Sequence, residues 1–513
     1  MPFIRHPEQS SSRQEYWIFE SISETYIPLL EVLDRLDKDH IPHRLGLSIS
    51  PTLCHMLNDE HLIKRYLEYT DKQIEFGERE LERNAGNKEL YALAKFHYER
   101  VLAKKALFVE RFDNNILKGF DYFQKKGRLE FLATAATHAF LPFYTAYPEA
   151  IQSQFEVAIS TYRSNFGKCP EGFWLPEFGW KEELDPWLRA YNFGYTIVDA
   201  HALCFARPYA EKGSFYPVRT PSGIFVFGRD FYAAEDVAHM SREPLYRYYR
   251  RDQGFELAAD DVKQFLGPKG NRIGTGYKYW AIGEDGSGTG LYNADKAIEK
   301  AKEHARAFLG SRLSRLKRVS ETMEDPAISL CAFEADSFGR FWSEGPAFIE
   351  TLFREGAKNS EFQFLMPAEY LCKLKPGTFQ TVKPEFSSWG SNGYAETWLD
   401  SSNDWMYSHT MRALERMVEI SDRFPDSSGL KERALNQAAR EVLLVLSSDW
   451  PKMLYKQESA NYAYSRIENS LRNFTTIYEA LGSNYISTEW LTNLERRHNV
   501  FPNVNYRVFR RKR

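Results

Sequence analysis

The feature that most constrains this chain is the alternation of short apolar runs with long amphipathic stretches over residues 1 to about 395, after which the pattern is helical alone. RLEFLATAATHAFLP (128–142) reads as a strand ending near His138, and YTIVDAHAL (195–203) as another. AISLCAFEAD (327–336) and FQFLMP (362–367) read the same way. Helices are expected between them: 14–36, with Phe19, Ile22, Tyr26, Leu29 and Leu33 at helical spacing, then 149–166, 294–319 and 344–356. Such alternation predicts an α/β barrel or open sheet. Residues 60–112 read as a charged helical hairpin broken at Asn84–Asn87, a texture that suits a partly solvated face. Residues 182–231 contain Pro221-Ser222-Gly223 before IFVF and read as a small inserted subdomain. The expected organisation is therefore a barrel over 1–181 and 232–394, the insert at 182–231, and a C-terminal helical domain over 395–513.

Composition narrows the classes. A chain of 513 residues that is 43% hydrophobic and 27% charged excludes disorder and can bury a large core. A net charge of −3 disfavours a nucleic-acid partner. The lack of an apolar run of about 18 residues excludes a membrane span. MPFIRHPEQSSSRQ does not read as a signal peptide, and five scattered cysteines read as reduced thiols, so a cytoplasmic protein is expected. With 11 Trp, 30 Tyr and 37 Phe, some rings are expected to serve as flat platforms for sugars, because stacking on bases normally comes with interleaved basic residues.

Two acidic sites stand out. Glu177 lies in GFWLPEFGW between Trp174 and Trp180, and Glu334, Asp336 and Glu344 lie in FEADSFGRFWSEGP. In an α/β barrel, polar residues at the C-terminal ends of strands tend to be catalytic. Indole rings around a carboxylate desolvate it and favour its protonated form. Two facing carboxylates about 5–5.5 Å apart can divide the work of retaining glycoside hydrolysis, one as nucleophile and one as general acid/base. The alternative is that each acid makes a structural hydrogen bond or ion pair. Other chemistries lack their signatures: there is no HExxH, no phosphate-binding GxxxxGK[ST] and no GxSxG elbow. His40 and His43 read as part of a turn, and GEDGSGTG (283–290) as a loop.

Together, ATHAFLP, GFWLPEFGW, FEADSFGRFWSEGP, VDAHAL, PVRTPSGIFVFGRD, SSWGSNGYAETWL and SSDWP resemble glycoside hydrolase family 57, specifically its 1,4-α-glucan branching enzyme group. MPFIRHPE resembles the end of that family's first motif. The resemblance implies an incomplete (β/α)7 barrel with a small inserted domain and a C-terminal helical domain. It implies cleavage of an α-1,4-glucan and transfer of the fragment to a sugar 6-hydroxyl, with no metal or organic cofactor. Glu177 takes the nucleophile position and Glu334 the acid/base position. The expected substrate-binding set is His138, Trp174, Asp336, Arg340, Trp280, Trp389 and Asp449. Trp398, Trp405 and Trp450 are further aromatic candidates.

Three departures from the family pattern keep two other readings open. Glu334 stands where the family has aspartate, adding one methylene. Arg340 stands in place of a histidine, and beside Glu334 it would favour the ionised carboxylate. The family's opening strand with His-x-His has no counterpart here, so either the start lies upstream or the barrel lacks its first strand. Residues 231–244, with Tyr232 and His239, are shorter than the matching loop. An α-amylase-type hydrolase and a glucan-binding pseudoenzyme are the alternatives these departures motivate.

Overall fold

The computed structural model describes residues 1–9, 12–267, 270–375, 377 and 379–512. One six-stranded sheet organises the first two thirds of the chain, in the order β1-β2-β3-β4-β6-β5. The strands are β1 (Leu45–Ser48), β2 (Leu129–Thr134), β3 (Gly172–Trp174), β4 (Tyr195–Val198), β5 (Val218–Arg219) and β6 (Phe225–Gly228). From β1 to β6 the neighbours are parallel, and β5 alone runs antiparallel at the edge. Parallel strands buried on both faces read as continuous apolar runs. β4 is buried throughout and β2 at all but one position.

The segment expected to form an inserted subdomain belongs to this sheet instead. Thr220-Pro221-Ser222-Gly223 closes a hairpin in which Thr220 N donates to Ile224 O and Gly223 N to Thr220 O. Its second arm, β6, pairs with β4 over four residues, and Ile224, Val226 and Phe227 are almost completely buried. The turn-rich texture marks a hairpin at the sheet edge rather than a separate module.

Two expected strands form only in outline. Residues 327–334 are extended beside β6, with Leu330 bridged to Arg229 and Asp230 N donating to Leu330 O. Residues 362–366 take no ladder. Most side chains along both segments are half-buried or exposed, Ala332 and Met366 excepted. The architecture is thus an incomplete (β/α)7 barrel followed by a helical region.

The helices follow the sequence closely. Glu60–Arg83 begins on an Asp59 cap and ends at Asn84, and Lys88–Ala106 begins on an Asn87 cap, so the asparagines punctuate the hairpin. The 14–36 expectation appears as Glu15–Ser21 and Ile27–Lys38, joined through a π-helical turn at Ile22–Tyr26. Residues 231–240 form a helix capped by Asp230. The C-terminal helices Asp404–Arg423, Gly429–Val445, Asp449–Lys456, Ala460–Gly482 and Thr488–Arg497 surround a central rod, for Gly429–Val445 is buried at Ala434, Leu435 and every residue from Gln437 to Val445. Burying Glu441 there requires partners. His498 Nδ1 lies 2.8 Å from its carboxylate, and Gln437 Nε2 and Asn473 Nδ2 donate to it. Burial pushes the Glu441 carboxyl up, but the His498 charge and these donors outweigh it and hold it below the usual range.

Among the described residues no helix is long and apolar enough to cross a membrane. The five cysteines are free. Removing one member of a buried ion pair leaves the other uncompensated. Glu441→Ala is therefore expected to lower unfolding free energy by about 3–5 kcal/mol, and Glu441→Gln by less, read by urea titration.

Candidate active site

Glu177 sits on the sharp turn that leaves the C-terminal end of β3. Its φ is 59° and that of Phe178 is 52°, both in the left-handed region. His138, in the turn after β2, has φ 55°. β2 itself stops at Thr134, four residues before the expected end. Left-handed backbone at a side chain of this size costs about 1–3 kcal/mol and persists only where surrounding contacts impose it. Here Phe178 N donates to Leu175 O, Gly179 N to Pro176 O, and Trp389 N to Glu177 O at 2.9 Å.

The Glu177 side chain is 4% exposed, and both carboxylate oxygens are held. Trp389 Nε1 donates to Oε2, and Ser448 Oγ donates to Oε1 at 2.9 Å. His138 Nδ1 lies 3.0 Å from Ser448 Oγ and 3.6 Å from Glu177 Oε1. A serine hydroxyl carries one proton. With that proton committed to Glu177, the histidine must donate from Nδ1 into the serine oxygen. Burial pushes the His138 imidazole below its usual pKa, against the pull of Glu177. The result is a His138–Ser448–Glu177 relay with a neutral imidazole. Ser448 is itself fixed by its backbone N–H on His138 O.

Glu334 ends the extended segment beside β6, and its side chain is 47% exposed. Lys452 Nζ lies 3.0 Å from Glu334 Oε1. Desolvation pushes the Glu334 carboxyl up, but Lys452, aided by the Met1 ammonium and Lys456, brings it below the usual range. Lys452 is in turn raised above the ordinary lysine value, with the Glu177 charge as the largest cause. Lys452 therefore pairs with the open carboxylate while the charge of the buried one adds to its field.

Arg340 is not the cation at Glu334. Its Nε donates to Glu20 Oε2 at 2.7 Å, its Nη1 lies 3.5 Å from Asp336 Oδ2, and its backbone N donates to Thr25 Oγ1. The turn at Ala335–Phe338 and the close seat of Gly339 carry it away: a Cβ on Gly339 would lie 2.1 Å from Glu24 O. Arg340 thus ties the acidic motif to helix 15–38. Asp336 accepts from Ser21 Oγ at 3.0 Å, while its Oδ1 is buried without a partner. Burial raises the Asp336 carboxyl, with Arg340 opposing. Asp449 Oδ2 accepts from Ser447 Oγ and lies 3.6 Å from the Met1 ammonium, which places it beside the relay.

The aromatic candidates divide. Trp389 packs edge-on to Phe178 at 5.0 Å and to Trp174 at 6.1 Å, roofing Glu177. Trp398 is buried and stacked on Phe140 at 5.2 Å, at the domain junction, whereas Trp450 is buried inside the helical region with Nε1 on Leu444 O. Trp405 is half-buried against Tyr464. Trp280 makes its contacts elsewhere, under Arg251 at 4.2 Å with Nε1 on Glu256. Tyr232 lies under Arg315 at 3.9 Å, and His239 is exposed on its helix.

Three residues escape a sequence reading. Ser448 and Lys452 stand at i and i+4, on one face of the Asp449–Lys456 helix and its cap, a spacing that could have revealed them. His201 Nε2 donates to Gly393 O at 2.9 Å and anchors the loop bearing Trp389. Gly393 has φ 83°, and a Cβ there would meet the His201 ring at 2.9 Å. Asp199 bridges His201 to Arg229, which lies 5.1 Å over Phe178. Among the described residues no three His, Cys, Asp or Glu side chains converge as a metal site.

The family model for glycosyl hydrolase family 57 matches residues 1–383, three quarters of the chain. The protein belongs to glycosyl hydrolase family 57. A second family model, the C-terminal region of 1,4-alpha-glucan branching enzyme, matches residues 409–509 of this family 57 protein. A 1,4-alpha-glucan branching enzyme of Thermococcus kodakarensis is 26% identical over 98% of this chain and 76% of its own length. The crystal structure of the alpha-amylase AmyC from Thermotoga maritima aligns with TM-score 0.92 at 35% identity, covering 100% of this chain and 98% of that one. The family 57 branching enzyme of Pyrococcus horikoshii aligns with TM-score 0.90 at 25% identity, covering 100% and 95%.

The relay assigns Ser448 the task of fixing one oxygen of Glu177. Ser448→Ala is expected to lower kcat on a glucan substrate by about tenfold or more, as small misplacements of a reacting group do, with KM little changed. Steady-state kinetics on purified enzyme read both.

Proposed function

We propose that this family 57 protein is a 1,4-alpha-glucan branching enzyme that works by retaining glycosyl transfer. The observation that carries the reading is the origin of Ser448. It comes from the segment that matches the branching-enzyme C-terminal region, yet it holds the Glu177 carboxylate of the barrel. The helical region is thereby part of the site rather than an appendage.

In the proposed reaction a Glu177 oxygen attacks the anomeric carbon of an α-1,4-linked unit. The bond to the leaving O4 breaks as the Glu334 carboxylic acid donates its proton to that oxygen. A glycosyl ester on Glu177 remains, with inverted configuration. The 6-hydroxyl of an acceptor glucan then attacks the same carbon, its proton passes to the Glu334 carboxylate, and the ester bond breaks. Two inversions give an α-1,6 branch. Transfer outruns hydrolysis when the acceptor excludes water from the ester. Trp389, Trp174 and Phe178 supply the dry wall over Glu177 for this. His138, Asp449 and Asp336 line the polar side, where sugar hydroxyls need partners.

A hydrolytic reading is favoured by the likeness to a structure titled an alpha-amylase and by the short helix at Phe231–Met240. The two differ in product. We place the activity in the making of glycogen-like glucan, and in the cytoplasm, where five unpaired cysteines stay reduced.

Incubation with amylose is expected to lower iodine absorbance and create linkages that a debranching enzyme cleaves. New reducing ends without such linkages would favour the hydrolase, and glucan binding without turnover the pseudoenzyme. Glu177→Gln is expected to abolish turnover. Glu334→Ala is expected to lower it by about 10²-fold or more, in the range typical of a lost general acid/base, with partial rescue by azide.

A further inference from the structure

An ammonium beside a general acid calls for an explanation. Glu334 must enter the first half-reaction protonated and the second ionised. A cation within about 4–6 Å opposes the first state and favours the second. Lys452 is placed for this by its helix. It follows Ser448 by one turn, so the side chain that reaches Glu334 and the one that holds Glu177 rise from the same face. Nζ also lies 6.0 Å from the ring of Trp389, whose indole N–H is bound to Glu177. The Lys452 side chain is 26% exposed, which leaves it room to move.

We propose that Lys452 is a positioning residue whose ammonium, paired with Glu334, offsets the charge of Glu177 in the free enzyme and acts on Glu334 unopposed when Glu177 is esterified. The inference rests on the assignment of Glu177 as nucleophile and Glu334 as acid/base. Esterification removes the negative charge of Glu177 and with it the repulsion that favours the protonated form of Glu334. The Lys452 ammonium, 3.0 Å from Glu334, then acts alone and keeps that group ionised when it must accept the acceptor's proton. No bond to Lys452 forms or breaks, and it keeps its three protons throughout. In the free enzyme the Glu177 charge favours protonation of Glu334 and the Lys452 charge opposes it, so the two partly cancel. The loss of one of them on esterification eases the conflict between the two half-reactions.

The other charges facing these groups keep their places. Asp449 and Lys456 lie on the same helix, and His138 on the turn after β2. The Met1 ammonium lies against Asp449, while Asp336 and Arg340 are paired with each other and with Ser21 and Glu20.

The test separates the half-reactions. For cleavage of a malto-oligosaccharide, the alkaline limb of kcat/KM reports the acid of the free enzyme. Lys452→Met is expected to move that limb up by about 1 pH unit or more, the lower end of what a neighbouring charge does to a carboxyl. With α-maltosyl fluoride, whose leaving group needs no proton, the acid limb of the transfer-limited kcat reports the base, and Lys452→Met is expected to move that limb up by about 1 pH unit or more as well. Lys452→Arg keeps the charge and is expected to restore both readouts towards wild type. An unmoved alkaline limb on the oligosaccharide together with an unmoved acid limb on the fluoride would overturn the proposal. So would equal losses in Lys452→Met and Lys452→Arg without a pH shift, the mark of a structural role. A wild-type enzyme inactive on both substrates would overturn the catalytic assignment itself. An active enzyme silenced by Glu177→Gln but indifferent to Lys452→Met would overturn only the role of Lys452.

Discussion

A carboxylate removed from water has to be gripped on every side, and Glu177 is gripped by three segments far apart in sequence. The turn after β2 brings His138, the loop after residue 387 brings Trp389, and the C-terminal region brings Ser448. Each contact also fixes backbone, since Trp389 N donates to Glu177 O and Ser448 N to His138 O. The left-handed turns at Glu177 and His138 are held by the same contacts. The barrel and the helical region therefore meet at one carboxylate, and the site exists only when both are in place.

That arrangement explains the divided character of the site. One carboxylate is buried with both oxygens bonded, the other half-open and paired with an ammonium. A nucleophile benefits from fixed orientation, because the geometry of attack is set before the sugar arrives. In the proposed mechanism the acid/base must exchange protons, and the exposure of Glu334 permits this. The longer side chain of glutamate at this position reaches out to Lys452, so the substitution for aspartate comes with a partner that holds it in place.

Much of this was legible in the sequence. Dense mixed charge and the break at Asn84–Asn87 located the hairpin over 60–112, and the apolar runs located β2 and β4. GFWLPEFGW pointed to Glu177. The rest was hidden for physical reasons. IFVF looked like part of an insert because turn residues flank both a free-standing hairpin and one hydrogen-bonded into a sheet. Residues 327–334 carry strand-like side chains but lack a second neighbour to complete a ladder. Arg340 is close to Glu334 in sequence, yet the turn at 335–339 directs it to Glu20, while Lys452, more than a hundred residues away, takes the pairing. Long-range partners of that kind leave no local pattern.

The central claim, that Glu177 forms the covalent link to the sugar while Glu334 faces it across the same crevice, can be read directly. A Glu334→Ala enzyme loaded with α-maltosyl fluoride should accumulate the ester, since the fluoride departs unaided and the base for the second step is missing. Digestion and peptide mass spectrometry should then find the added hexose units on the peptide that contains Glu177. Their appearance on a peptide bearing another carboxylate, or sustained turnover of the fluoride with no adduct by a Glu177→Gln enzyme, would contradict the account.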